Sequence, residues 1–257
     1  MSLSVKPAND GRPLFGGWCS LPSALSAEAL ARGGYDWVLI DMQHGVADFA
    51  TVCEMIRAVD GAGVPPLVRV PWNEPGIIGR VLDAGAMGLI VPMIQTADDA
   101  RRAVEASLYP PVGRRSFGPV RPVLRDGPGY VAAANEQIAV LPMIETAEAL
   151  ASIDEILAIP GVAGLFVGPM DLSVALGLPP RDNDGAPAFD AALDAVVAGC
   201  RRHGKIAAAY SSRDVAPTRA AQGFDLISVT NDAGAVIGSA RSDAAFVKAN
   251  AKRTGTA

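Results

Sequence analysis

The chain has 257 residues, half of them hydrophobic and 19% charged, with a formal net charge of −5 at pH 7. That length and apolar content suit a globular chain with one large core or two small ones. The acidic balance argues against a nucleic-acid platform, and no apolar run approaches the roughly 20 residues of a membrane span.

In chain order, the opening "MSLSVKPANDGRPLFGG" lacks a basic segment leading into an apolar stretch, so it does not read as a signal peptide. Short apolar runs predict strands at 14–20, 36–41, 66–72, 88–94, 138–145, 162–169, 206–212 and 224–230. Ala-rich amphipathic segments predict helices at 23–32, 47–60, 75–84, 97–107, 146–157, 171–176, 188–202, 214–221 and 232–250. The strands are continuous apolar runs, as expected of a parallel sheet covered on both faces. Eight β–α units in about 250 residues predict a single (β/α)8 TIM barrel over 1–257. An open doubly wound sheet is the alternative, but no G-x-G-x-x-G follows any strand. Residues 109–137, rich in Pro, Gly and Arg, read as one long loop. The tail "AKRTGTA" reads as frayed. Cys19, Cys53 and Cys200 lie far apart with no C-x-x-C pair, which predicts reduced, mostly buried thiols in a cytoplasmic protein.

A barrel places its chemistry at the C-terminal ends of the strands. Strand two ends at Asp41, with His44 just beyond; Arg69 sits late in strand three; strand five ends in Glu145; strand six leads through "VGPMD" to Asp171. Trp18 lies late in strand one. Each has an ordinary reading alone. A His near a strand end is more often a structural hydrogen-bonder, Glu145 suits the first turn of a helix, and Asp171 suits a cap. Together they collect on one rim. Glu145 and Asp171 form a carboxylate pair suited to a hard divalent cation that keeps open positions for substrate. Arg69 inside an apolar strand is costly unless paired, and beside a metal it would stabilise a negatively charged oxygen. Free backbone N–H groups after strand six, around Gly168 and Pro169, suit a substrate carboxylate. His44 is then the natural proton shuttle.

Lysine narrows the mechanism. Four of the 22 basic residues are lysines: Lys6, Lys205, Lys248 and Lys252. Lys205 precedes strand seven, at the opposite rim, and the others lie near the termini, so no lysine is placed for an imine. What remains is metal-assisted enolate chemistry on a 2-oxo acid.

Several long segments in order ("GGWCSLPSALSAEALARGGYDWVLIDMQHG", "PLVRVPWNEP", "LDAGAMGLIVPMIQTADDARRAV", "YPPVGRRSFGP", "PMIETAEAL", "GVAGLFVGPMDLSVALG") resemble the HpcH/HpaI family of class II pyruvate aldolases. The resemblance runs from about residue 14 to 178 and weakens towards the end. It implies a TIM barrel assembled as a hexamer, a trimer of dimers, with the helix at 232–250 exchanged between subunits. It implies reversible aldol cleavage of 4-hydroxy-2-oxo acids to pyruvate or hydroxypyruvate and an aldehyde, with Mg²⁺, Mn²⁺ or Co²⁺. Metal ligands fall on Glu145 and Asp171, the catalytic histidine on His44 and the enolate-stabilising arginine on Arg69. The aspartate that orients the histidine falls on Asp83, with Asp41 nearby. Trp18 matches a pocket-lining tryptophan, and the backbone around Gly168 the pyruvate carboxylate site.

Two positions depart from the family pattern: Met143 stands where Gln is common, and Gln43 where Glu is common. Met143 removes a hydrogen-bonding group near the metal, which leaves the donor open between pyruvate and hydroxypyruvate. Arg114, Arg115 and Arg121 in the long loop read either as solvated or subunit-contacting, or as an anion site. Rival activities are oxaloacetate decarboxylation, an acyl-CoA lyase reaction or use of phosphoenolpyruvate; a metal- or oxo-acid-binding protein without turnover is the non-enzymatic alternative.

Overall fold

The computed structural model describes residues 11–251; the reading of the first ten residues and the frayed tail beyond 251 lie outside it. Eight parallel strands follow one another around a closed barrel: β1 (Leu14–Cys19), β2 (Trp37–Asp41), β3 (Pro66–Arg69), β4 (Gly88–Val91), β5 (Ala139–Ile144), β6 (Gly164–Val167), β7 (Ile206–Ala209) and β8 (Leu226–Asn231). β8 pairs back onto β1 through a register shift at Gly16/Gly17. The fold is a (β/α)8 TIM barrel.

The connecting helices are α1 (Ala24–Arg32), α2 (Phe49–Gly61), α3 (Pro75–Asp83), α4 (Ala97–Ser107), α5 (Val120–Asp126), α6 (Tyr130–Gln137), α7 (Ala147–Ala151), α8 (Ile153–Leu157), α9 (Pro169–Ala175), α10 (Pro187–His203), α11 (Ala216–Gln222) and α12 (Asp232–Asn250). Their starts follow from local chemistry. Ser23, Asp48 and Thr96 each accept a backbone N–H of the first turn, and Thr96 closes a capping box with Asp99. The structure differs from the sequence reading in three respects. The apolar runs at 66–72, 88–94 and 206–212 outlast their strands, which end at Arg69, Val91 and Ala209. Val70 is still fully buried, and its N–H bonds the Ile90 carbonyl at 3.1 Å, so the apolar run follows both packing and one last ladder bond past the strand end. The expected helix at 146–157 breaks at Ser152 into α7 and α8. The stretch 109–137 carries α5 and α6, whose Pro- and Gly-rich flanks hide two short helices.

Strand alternation builds two cores. Outward residues pack under the helices in one large cluster. Inward residues, among them Trp37, Leu39, Leu67, Ile90, Leu141, Phe166 and Leu226, fill the barrel. Gly16 makes room for the filling: a Cβ there would lie 2.2 Å from the Trp37 ring. Cys19 and Cys200 are buried and Cys53 is half-buried, all unpaired. Among the described residues no helix is long and apolar enough to cross a membrane.

Candidate active site

The inward alternation continues upward into polar residues. On β2 the inward series runs Trp37, Leu39, Asp41; on β3, Leu67, Arg69; on β5, Leu141, Met143 and then Glu145 just past the strand end. A period of two therefore delivers one carboxylate, one guanidinium and a second carboxylate to the top of the barrel. Asp41 and Arg69 line a cavity of about 370 Å³ together with Trp18, His44, Gly168, Asp171, Tyr210 and Asn231, and the Glu145 carboxylate lies against Gly168.

Asp41 and Arg69 are register partners on adjacent strands. Arg69 donates from Nε to Asp41 Oδ1 at 2.8 Å and from its terminal nitrogen to Oδ2 at 2.6 Å. The indole N–H of Trp18 adds a bond to Oδ2 at 3.3 Å, and the Arg69 guanidinium lies 4.8 Å from the centre of the Trp18 ring. The backbone N–H groups of Gln43 and His44 also point at Oδ1. Burial works to raise the Asp41 pKa, but the bonds and charge of Arg69, with the two amides, overcome it and hold the carboxyl below its ordinary value. A buried guanidinium is tolerated here because a bidentate carboxylate answers it.

Glu145 is 2% exposed, and its Oε1 accepts the Met93 N–H at 2.6 Å. Met93 holds that amide in place with φ +55°, a left-handed conformation unusual for a residue with a side chain. Burial pushes the Glu145 carboxyl above its ordinary value; Asp171 adds to the rise, and Met93 and Arg69 only partly oppose it. Asp171, in the first turn of α9, is exposed and makes no hydrogen bond among the described residues. Two neighbouring carboxylates, one buried and raised by the other, form an electrostatic deficit that a divalent cation would offset. Among the described residues no third His, Cys, Asp or Glu joins them, so the donor set suits a hard cation completed by water and substrate, not a closed zinc site. Gly168 is required beside them, since a Cβ there would stand 2.7 Å from Glu145 Oε2.

His44 lies exposed at the cavity mouth. Asp83 is not brought to it within the chain. It ends α3 in a separate groove and accepts Arg115 at 2.6 Å. Arg115 itself is buried, with one amino group bonded to the Tyr130 hydroxyl at 3.1 Å. Arg121 pairs with Asp60. Of the three loop arginines, only Arg114 is largely solvated. Lys205 binds the carbonyls of Leu157 and Ile159 at the far rim, away from the cavity. Tyr210 and Asn231, at the C-terminal ends of β7 and β8, also line the cavity and escape a reading based on ionisable groups; their place at strand ends is the signal that finds them.

Residues 14–238 match the family model described as HpcH/HpaI aldolase/citrate lyase. The chain belongs to that family. It is 44% identical over 234 residues to a hydroxypyruvate/pyruvate aldolase of Rhizorhabdus wittichii, covering 91% of this chain and 93% of the relative. It is 41% identical over 211 residues to a 4-hydroxy-2-oxo-heptane-1,7-dioate aldolase of Escherichia coli, covering 80% of this chain and 79% of the relative. A crystal structure of an HpcH/HpaI aldolase/citrate lyase family protein from Burkholderia cenocepacia superposes with a TM-score of 0.84 at 35% identity, over 93% of this chain and 95% of that one. This member of the family is accordingly an aldolase-type carbon–carbon lyase.

Proposed function

We propose that the chain is a divalent-metal-dependent aldolase that cleaves and forms 4-hydroxy-2-oxo acids, with pyruvate or hydroxypyruvate as donor and an aldehyde as acceptor. The observation that carries the reading is the juxtaposition of the Arg69–Asp41–Trp18 assembly with Asp171 in one cavity and with Glu145 against its Gly168, with no lysine among the residues lining it. The names of the two relatives support the substrate class. When bound at Glu145 and Asp171, Mg²⁺, Mn²⁺ or Co²⁺ supplies Lewis acidity to the 2-oxo group.

The chain's own residues do the rest. Arg69 has one terminal nitrogen left free by Asp41, and this donates to the oxygen that becomes negative as the enolate forms. Pro169 has no N–H, so the amides of Met170 and Asp171 after Gly168 hold the donor carboxylate. His44 at the mouth takes the proton of the 4-hydroxyl as the C3–C4 bond breaks and delivers it to C3 of the enolate, releasing the donor; in condensation it takes the C3 proton and gives it to the aldehyde oxygen. Trp18 walls the cavity and steadies Asp41.

Asp83 orients His44, as the family resemblance implies, across a subunit boundary, since within its own chain it bonds Arg115 in another groove. Phe117, Val120 and Leu124 near that groove, and Val236, Ile237, Phe246 and Val247 on α12, are exposed apolar residues that subunit contacts in a hexamer would cover, α12 being the exchanged helix. The three unpaired cysteines suit a reducing cytoplasm. Chelation tests the assignment: excess EDTA abolishes cleavage of a 4-hydroxy-2-oxo acid, and Mg²⁺, Mn²⁺ or Co²⁺ restores it. Full activity in EDTA, or a borohydride-trapped pyruvate adduct, refutes it.

A further inference from the structure

We propose that Arg219, a buried cation on the outer helix α11, is a positioning residue for the site: through the segment 177–186 it fixes α9, and with α9 the carboxylate of Asp171. The inference rests on the reading of Asp171 as a ligand of the divalent ion, and it extends that reading to residues outside the cavity.

α9 needs support from elsewhere. It has seven residues, and its N-cap, Gly168, offers no side-chain hydrogen bond. So short a helix does not hold itself in water. Its first turn presents the exposed Asp171, and the next two residues, Leu172 and Ser173, are fully buried. Leu172 packs into the core beneath the helices. Ser173 is polar, and its burial has to be answered. Its Oγ donates to the Arg181 carbonyl at 2.8 Å and accepts from the Asn183 amide nitrogen at 2.8 Å. Asn183, 9% exposed, shares that nitrogen with the carbonyls of Pro179 at 2.8 Å and Arg181 at 2.9 Å. The Leu178 N–H closes back on the Ser173 carbonyl at 2.8 Å. The segment thus fastens α9 two residues beyond Asp171.

Arg219 holds the segment from its other side. The side chain is 1% exposed. It donates to Asp184 at 2.6 and 3.1 Å and to Asp182 at 2.8 Å, the carboxylates on either side of Asn183. Gln222 accepts a further bond at 2.9 Å, and the guanidinium carbon lies 5.8 Å from the centre of the Phe189 ring. A buried guanidinium is costly unless it is answered, and two carboxylates that bracket one residue hold that residue in a single orientation. The clamped segment also borders the cavity. Burial raises the pKa of the Tyr210 phenol, and the charge of Asp182 acts on it in the same direction.

The consequence is one of population. With the clamp closed, α9 keeps one pose, and an ion meets Asp171 already beside Glu145. With the clamp released, α9 visits other poses, and the apparent affinity for the ion falls by the fraction of time the competent pose is kept. Both carboxylates stay in the chain unaltered.

The test is Ser173→Ala and Arg219→Met, singly and together. Mn²⁺ binding is measured without substrate, by electron paramagnetic resonance of the free ion, well below each protein's unfolding midpoint. Amide hydrogen exchange of Leu172 and Leu176 is followed alongside. Each single change is expected to raise the Mn²⁺ Kd about three- to tenfold, the worth of one hydrogen bond. The double change raises it no further than the larger single one, because both release the same clamp. Both amides exchange faster in all three proteins. A lowered unfolding midpoint with an unchanged Kd, or effects that multiply in the double variant, overturns the proposal. Should Arg219→Met fail to fold, Asp182→Asn with Asp184→Asn opens the same clamp from its more exposed side, with the same expected result. If the unaltered protein binds no Mn²⁺, the metal reading fails; the exchange rates then decide the role of Arg219, faster exchange supporting it and unchanged exchange overturning it.

Discussion

Replacing Asp41 with alanine tests the reasoning about the buried cation most directly. The change removes five hydrogen bonds at once: two from Arg69, one from Trp18, and those from the amides of Gln43 and His44. Asp41 is 2% exposed and Arg69 8%, so the guanidinium is left without its counter-charge in a place that water barely reaches. Arginine cannot shed its proton to escape. Breaking a buried pair in this way costs about 3–5 kcal/mol. Urea unfolding at pH 7, followed by circular dichroism and by fluorescence of Trp18 and Trp37, measures the loss. The sign with pH follows from the lowered pKa of Asp41. Its folded value lies below the unfolded value of about 3.9, so the pair's contribution is complete above about pH 5. It is lost as pH falls through the folded value, and the gap between the two proteins therefore narrows in acid. A loss under about 1 kcal/mol at neutral pH, or a gap that widens on acidification, refutes the argument that the pair holds Arg69.

Three further outcomes follow from the site. Arg69→Ala lowers kcat/KM for aldol cleavage by about 10²-fold or more, the usual effect of losing one oxyanion donor; a change under about threefold removes Arg69 from the chemistry. Gly168→Ala leaves the backbone dihedrals accessible but sets a Cβ 2.7 Å from Glu145 Oε2 and 2.8 Å from the Met143 methyl. It displaces the Glu145 carboxylate, so the Mg²⁺ concentration for half-maximal activity rises about tenfold or more, by loss of roughly 1.4 kcal/mol of ligation; unaltered Mg²⁺ dependence shows the carboxylate is not a ligand. His44→Ala and Asp83→Asn each stop exchange of the pyruvate methyl protons in D₂O, and co-expressed mixed oligomers of the two recover part of it. No recovery places the two residues in one chain's site or removes Asp83 from it.

The barrel was legible because eight apolar runs alternate with amphipathic ones, nine in all, and that alternation has few architectural solutions. The site was legible wherever a charged residue interrupts an apolar run at its C-terminal end, as at Asp41, Arg69 and Glu145. Strand ends were harder: Val70 is buried and still bonds the Ile90 carbonyl, so the apolar run marks no sharp end at Arg69. Partnership was harder still. Spacing shows Asp41 three residues before His44 but not that its carboxylate serves Arg69 and the His44 main chain. The buried pairing of Arg115 with Asp83, 32 residues apart in the chain, has no local signature at all. Tyr210 was obscured for the opposite reason, since it continues an apolar run and counts there as filling.

The pairing register of the first three strands has a consequence for how this family can diversify. Trp18, Asp41 and Arg69 come from β1, β2 and β3, with Asp41 and Arg69 directly opposed in the ladder. Arg69, the group proposed to steady the enolate, is thus fastened to the hydrogen-bonded frame of the barrel, whereas His44 and Asp171 lie just beyond strand ends, on the segments that vary most freely in such folds. Loops can be lengthened, exchanged or recharged without disturbing that buried guanidinium, because no loop holds it. Inheritance of the half-reaction and novelty in its partner are housed in different parts of the molecule.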